Sequence, residues 1–191
     1  NKSLSYFDQP HAFLLQFLYK TPNNSNMDYR MTQIFGSWNF SAVTLFKSGT
    51  PFSVSTGSDT PGFGNGDGRS NDRPMLIQPS VLGRTISDPN TSRQLLPRSA
   101  FQFINAPEQM SGDLGRNTFR RGPIANVNAA LFRTWRLLNN WNITFRAEVI
   151  NLTNTPQFDN PERSLTNDNF AQITNTLNDG RNIRFQIRFS F

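Results

Sequence analysis

The last ten residues, Asn182–Phe191, alternate strictly between polar and apolar side chains. Every odd position from Ile183 onwards is apolar, and every even position is polar. Because successive side chains of a β-strand point to opposite sides, the pattern predicts a strand with one apolar and one cationic face. Such a strand suits either a half-buried soluble sheet or the wall of a membrane barrel, which faces lipid on its outer side.

Four other segments repeat the same period of two, so the sequence predicts an all-β, antiparallel protein with about five strands. The expected strands lie near residues 11–20, 38–56, 125–137, 141–152 and 181–191, and the second is expected to pause near Ser48 and resume at Phe52. The aligned apolar side chains are Phe13, Leu15, Phe17 and Tyr19; Trp38, Phe40, Ala42 and Phe46; Val127, Ala129, Leu131, Trp135 and Leu137; and Trp141, Ile143, Phe145, Ala147 and Val149.

Arg133 interrupts one of these apolar faces. An arginine facing the middle of a bilayer would cost about 2–4 kcal/mol. Two explanations remain open: Arg133 lies near a membrane interface, or a β-bulge shifts the alternation.

The connections between the strands differ greatly in length. Only a few residues separate Trp135 from Trp141, and Asn139-Asn140 is the expected turn. By contrast, residues 57–123 and 153–180 are long polar connections rich in Gly, Pro, Asn and Ser. Short turns at one end and long extracellular loops at the other are typical of outer-membrane barrels, whereas long structureless loops are uncommon in compact soluble domains.

Composition excludes several classes of protein. With 36% apolar residues and a mean hydropathy of −0.54, the sequence contains no apolar run long enough for a membrane-spanning helix. Cysteine is absent, which excludes disulfides and thiolate sites. The net charge of +6 comes mostly from arginines that are scattered rather than clustered, which favours a barrel lumen or an acidic cell surface over nucleic acid.

The charged and aromatic residues of the strands suggest separate roles. Arg146, Glu148, Arg184 and Arg188 fall on the polar faces and are expected to face the lumen, where Arg146 and Glu148 can pair. Trp38, Trp135 and Trp141 lie near strand ends, as expected for aromatic residues at the membrane–water boundary, although aromatics that fill a core would look alike.

No catalytic arrangement is evident, and the sequence predicts that the protein is not an enzyme and carries no cofactor or metal. His11 is the only histidine, and no base–nucleophile partner marks it as catalytic. The glycine-rich stretch at residues 62–72 has no following helix to bind phosphate. Its Asn65, Asp67, Asn71 and Asp72 could offer oxygen ligands to Ca²⁺, but no closing glutamate follows at EF-hand spacing, so a solvated loop is favoured.

Several stretches resemble TonB-dependent outer-membrane receptors. These are "SGDLGRNTFRRGPIANVNAALFRTWRL", "WNITFRAEVINLTNTPQFDNP", "FAQIT" and the strand that ends at Phe191. The stretches "FKSGTPFSV" and "GNGDGRSNDRP" resemble, more narrowly, the Oar-like group of Gram-negative receptors, which carries an N-terminal carboxypeptidase-regulatory-like domain. The similarity covers nearly the whole chain.

The resemblance implies a fragment of a plugged transmembrane barrel of about 22 strands. Because the chain opens with Asn1 and shows no signal peptide, we expect the plug and the TonB box to lie upstream. The implied partners are outer-membrane lipid, the TonB–ExbB–ExbD complex acting through the plug, and the barrel-assembly machinery. Arg184, Phe189 and Phe191 resemble the terminal assembly signal, although Gln186 stands where a small glycine is usual.

The favoured hypothesis is therefore TonB-dependent uptake of a scarce solute at the cell outer membrane. Two alternatives remain: an outer-membrane barrel with a structural, adhesive or secretion role, and a soluble all-β ligand-binding module. An upstream plug sequence would distinguish the first two, and dependence on detergent would distinguish both from the third.

Overall fold

The computed structural model describes residues 3–22, 28–59, 68–104, 112–137 and 141–191. Two short α-helices and ten β-strands follow one another in the described chain. In chain order they are β1 (Ala12–Lys20), α1 (Tyr29–Phe35), β2 (Asn39–Lys47), β3 (Pro51–Phe52), β4 (Met75–Leu76), β5 (Thr85–Ile86), α2 (Ser92–Leu95), β6 (Phe101–Gln102), β7 (Phe119–Arg121), β8 (Ile124–Arg136), β9 (Asn142–Ile150) and β10 (Asn182–Ser190).

The long strands form one five-stranded sheet in the order β1-β2-β8-β9-β10, which confirms the predicted antiparallel all-β class. The pairing of β9 with β10 runs without interruption from Asn182 opposite Ile150 to Ser190 opposite Asn142. Sequential neighbours pair in space, so the sheet is a simple meander of long strands. The expected turn at residues 138–140 lies outside the described residues.

One face of this sheet is apolar and exposed. Phe185, Ile187 and Phe189 of β10 are each more than half exposed. Phe13, Leu15 and Phe17 of β1 are also about half exposed, and the rings of Phe13 and Phe17 contact aromatic rings of β2. Monomeric soluble proteins rarely expose an apolar surface that spans a whole sheet. The alternation therefore reflects a wall with lipid on one side.

The pairing register of β8 and β9 shows whether a β-bulge accounts for Arg133 on the apolar face. From Ala129 opposite Val149 to Arg136 opposite Asn142 the pairing advances residue by residue, with no bulge. Arg133 stands opposite Phe145, so it does lie on the apolar face. It is nevertheless only 4% exposed, because the connection between β1 and β2 covers it. That connection contains α1, which the sequence analysis did not predict.

The second compact unit of the chain comprises residues 1–11, 47–124 and 157–178. Its core contains Phe52, Val54, Val81, Ile86, Leu96, Ala100, Phe101, Leu114, Phe119, Leu165, Phe170, Ala171 and Ile173. Short strands pair around this core in the orders β3-β7-β5 and β4-β6. The aromatic rings of Phe52 and Phe101 both contact Phe119, at centroid distances of 5.7 and 6.0 Å.

The structure of this unit differs from the loops and strand bounds that the sequence predicted. Residues 57–123 and 153–180 were expected to be long loops, yet most of the described part of both packs into a buried core. The expected strand at 38–56 is also divided: β2 ends at Lys47, and Pro51–Phe52 pairs with β7 rather than continuing in the large sheet. Residues 48–50 belong to no strand, and they separate β2 from β3.

Within the described residues, no helix is long and apolar enough to cross a membrane.

Candidate functional site

The polar face of the large sheet gathers the residues that the sequence assigned to the lumen. Arg184 stands directly opposite Glu148, and Arg188 stands opposite Thr144. Arg146 shares that face because Gln186 is its cross-strand partner. The four lumen candidates therefore lie on one side of β9 and β10, and the apolar side chains of these two strands lie on the other.

Arg146 and Glu148 form an ion pair along β9. The Nε of Arg146 donates to Oε1 of Glu148 at 2.5 Å, and the guanidinium also lies 5.7 Å from the centroid of the Phe132 ring on β8. The Arg146 side chain is 43% exposed and the Glu148 side chain is 33% exposed, so solvent screens the attraction between the two charges. A pair of this kind contributes roughly 0–1 kcal/mol to stability. Its main effect is to hold the two charges in place.

The polar face is strongly cationic. The charged residues on this side of β8, β9 and β10 are four arginines and one glutamate: Arg136, Arg146, Arg184, Arg188 and Glu148. A shallow depression of about 230 Å³ lies beside Arg146 and Glu148, with Ser41 and Asn128 also lining it. Pockets that enclose small ligands are larger, about 300–1,000 Å³. A complete solute site therefore requires walls that this sheet does not supply alone.

Within the part of the chain that the structure describes, the outer strands of the sheet, β1 and β10, each pair on one side only. In hydrocarbon an unpaired strand edge leaves backbone N–H and C=O groups without partners, at several kcal/mol each. The smallest transmembrane barrels contain about eight strands. Five strands with two open edges therefore form part of a wall that further strands must close.

Aromatic rings collect at the end of the sheet where β8 turns into β9. The Trp38 ring contacts Trp135 edge-on at 5.8 Å and Phe145 at 6.2 Å. Trp141 instead contacts Phe191, with centroids 5.9 Å apart. The three predicted interface tryptophans thus lie near one end of the strands, which is the arrangement of an aromatic girdle.

The three residues assigned to an assembly signal lie on both faces of β10. Arg184 is on the polar face, where its Nε donates to Oδ1 of Asn182 at 3.2 Å. Phe189 stands opposite Ile143 on the apolar face, and Phe191 follows the strand with 95% of its surface exposed. Nothing within the described chain buries the terminal ring apart from its contact with Trp141.

The other compact unit contains a polar cavity that the sequence analysis missed. Its volume is about 350 Å³, within the range of small-ligand sites. Its lining residues are Tyr6, Ser53, Ser55, Ser70, Asn71, Glu162, Arg163 and Ser164. These come from four separate stretches of sequence, so no local motif marks them. Hydroxyl and amide groups dominate the lining, which suits a hydrophilic solute.

The remaining candidates are His11 and the oxygen-bearing residues of the possible Ca²⁺ loop. The carbonyl of His11 accepts a hydrogen bond from the Ser48 N–H at 2.9 Å, and its side chain is exposed. Among the residues that the structure describes, no group of three or more His, Cys, Asp or Glu side chains could hold a metal ion. Asn65 and Asp67 of the possible Ca²⁺ loop lie outside the described residues, whereas Asn71 and Asp72 are described.

A sheet with one exposed apolar face, one cationic face, tryptophans gathered at one end and two edges that require further strands defines a segment of an outer-membrane β-barrel. The family comparison agrees: the family model described as an outer membrane beta barrel domain matches residues 1–184. The chain belongs to this family, which confirms the predicted location in the outer membrane. Searches of curated proteins and of solved structures gave no significant match.

Proposed function

We propose that this chain forms part of the barrel of a TonB-dependent transporter that imports a scarce solute. The observation that carries the proposal is the two-sided wall: Arg136, Arg184 and Arg188 line the polar side, while the opposite side is apolar and exposed. A water-filled, cationic lumen attracts and orients anionic or polar solutes. The resemblance of residues 111–137 and 141–161 to TonB-dependent receptors supports the more specific class.

In this proposal the role is transport rather than catalysis. The full protein would have a plugged barrel of about 22 strands, the size at which outer-membrane transporters carry a plug. Energy would come from the TonB–ExbB–ExbD complex, which would act on the plug, and the barrel-assembly machinery would insert the wall. The hydroxyl-rich lining of the polar cavity in the compact unit would offer contacts to a hydrophilic solute.

A genetic experiment tests the proposal. Strains that lack the full-length gene, TonB, or both are compared for growth and solute content on limiting media. We expect the gene deletion to lower the uptake of one solute, TonB deletion to lower it equally, and the double deletion to add nothing. A TonB-independent uptake defect would contradict the proposal. Loss of surface attachment with unchanged uptake would instead support the adhesive or structural role.

A matched pair of variants tests the lumenal arginines. Arg136→Gln combined with Arg188→Gln should lower uptake while the protein level in the outer membrane stays normal, because both side chains are exposed on the polar face and neither belongs to the terminal assembly signal. Gln186→Asn, on the same face, is the control and should leave uptake unchanged. Equal uptake by both variants would remove the arginines from the solute path.

A further inference from the structure

The last four carbonyls of the short helix α1 have an unusual set of hydrogen-bond partners. The last four carbonyls of a helix have no partner within it, and on a soluble protein water often serves them. In α1 these carbonyls belong to Thr32, Gln33, Ile34 and Phe35. Each accepts a hydrogen bond from a group beyond the helix. None of the four depends on solvent for a partner.

Side chains of the barrel wall and of the adjoining strand ends supply these bonds. The Nη2 of Arg133 donates to the Thr32 carbonyl at 3.2 Å, and the Nε1 of Trp135 donates to the Gln33 carbonyl at 3.2 Å. The Nε1 of Trp38 donates to the Ile34 carbonyl at 2.8 Å, and the Thr21 hydroxyl donates to the Phe35 carbonyl at 3.3 Å. The cation of Arg133 also complements the negative end of the helix dipole.

Arg133 is held between two aromatic rings while it makes this bond. Its guanidinium carbon lies 5.0 Å from the centroid of the Trp135 ring and 6.0 Å from that of Trp38. Arg133 and Trp135 are on the apolar face of β8, since Phe145 and Ile143 stand opposite them. The helix is therefore fixed to the side of the sheet that faces lipid.

One side of α1 is apolar. Met31, Ile34 and Phe35 follow the i, i+3, i+4 spacing of one helical face, and each is about half exposed. Gln33 lies on the other side of the helix. Because α1 is hydrogen-bonded to Arg133 and Trp135, it lies at the end of the sheet where the tryptophans gather. In a membrane barrel, tryptophans of this kind mark the level where lipid headgroups meet acyl chains.

We propose that α1 is an interfacial anchor that inserts Met31, Ile34 and Phe35 into the phospholipid leaflet at the turn end of the barrel. The occupant of this surface is lipid, for two reasons. The helix that carries the apolar surface is bonded to the apolar side of the wall, and its last four carbonyls have protein donors, as backbone groups in contact with lipid require. Arg133 is the positioning residue that holds the helix on the wall. The inference rests on the outer-membrane location and is independent of TonB.

Spin labelling of the full-length protein tests the proposal. Since the chain contains no cysteine, single cysteines at Ile34 and, as control, Gln33 can be labelled with a nitroxide, any cysteine elsewhere being replaced by serine. The protein is reconstituted in vesicles of phosphatidylethanolamine and phosphatidylglycerol, and heat-modifiable migration verifies folding. We expect the label at Ile34 to collide often with oxygen and rarely with a water-soluble nickel chelate, and the reverse at Gln33.

Equally frequent collisions with the nickel chelate at both positions would overturn the proposal. A second comparison isolates the positioning role. In the folded Arg133→Ala protein the label at Ile34 should gain access to the nickel chelate, whereas Arg136→Ala, on the opposite face of the same strand, should leave it shielded. An unchanged Ile34 signal in Arg133→Ala would remove Arg133 from the anchor.

Discussion

The guanidinium of Arg133 packs against the Trp135 ring at 5.0 Å, although the two side chains share a face that is otherwise apolar. The Nε and Nη1 atoms of Arg133 are buried without a hydrogen-bond partner in the described structure, so the residue also carries a desolvation cost. Its net contribution depends on the aromatic contacts and on the bond to the Thr32 carbonyl.

We therefore expect Arg133→Ala to lower the free energy of unfolding by about 2 kcal/mol, through loss of the charged hydrogen bond and the cation–π contacts. Arg133→Met should cost less, because it keeps the volume between the rings and removes the unpaired N–H groups. Urea unfolding of the refolded barrel in lipid vesicles measures both. A larger loss in Arg133→Met than in Arg133→Ala would contradict this account.

The orientation of the compact unit can be read on intact cells. Ser80 is exposed within that unit, and the chain has no cysteine, so Ser80→Cys introduces a single thiol into it. If the unit is extracellular, as short turns and long connections of outer-membrane barrels predict, a membrane-impermeant maleimide should label Ser80→Cys on intact cells. Gln33→Cys, in the β1–β2 connection, should react only after permeabilisation. The reverse pattern would mean that the barrel has the opposite orientation.

The core of the same unit should depend on Phe119. This residue is fully buried and contacts the rings of Phe52 and Phe101. Replacing a buried Phe with Ala costs about 3–5 kcal/mol, so Phe119→Ala should make the unit sensitive to added protease. Phe7→Ala is the matched control because Phe7 is 89% exposed. Equal protease resistance of the two variants would show that the phenylalanine cluster does not hold the unit together.

The terminal aromatic residue should affect assembly more than stability. Phe191 is 95% exposed, so loss of its ring removes little burial within the chain, and full burial against lipid would contribute about 1.5–3 kcal/mol. If Phe191 is read during assembly, Phe191→Ala in the full-length protein should reduce outer-membrane levels severely. Ser190→Ala, on the polar face opposite Asn142, should be tolerated. Equal levels of Phe191→Ala and wild type would leave Phe191 without an assembly role.

The strands of the large sheet were predictable because their signal is local. In β10 the apolar residues Ile183, Phe185 and Ile187 recur at every second position, and that period alone places them on one face. The same reasoning put Arg146 and Glu148 together on the polar face of β9. A wall between lipid and water imposes its two environments on each strand separately, so each strand carries the pattern in its own sequence.

Helix α1 carried a weaker local signal. Met31, Ile34 and Phe35 have helical spacing, but seven residues are too few to distinguish an amphipathic helix from an irregular turn. The helix is stabilised by a donor from Trp38, just after it in the chain, and by donors from Thr21 and strand β8, which lie further away in sequence. For the same reason the alternation could show that Arg133 breaks an apolar face but could not show what covers it.

The compact unit was the part that only the tertiary structure decided. Its core joins Phe52, Phe119 and Phe170, each surrounded in sequence by polar residues that read as loop. Such a core has no period because its members come from separate stretches and meet only when the chain folds. The sequence by itself therefore determined the two-sided strands of the barrel wall, because each strand carries its own alternation of apolar and polar residues. Tertiary packing decided the core of the compact unit and the burial of Arg133, because the residues that surround them come from distant parts of the chain.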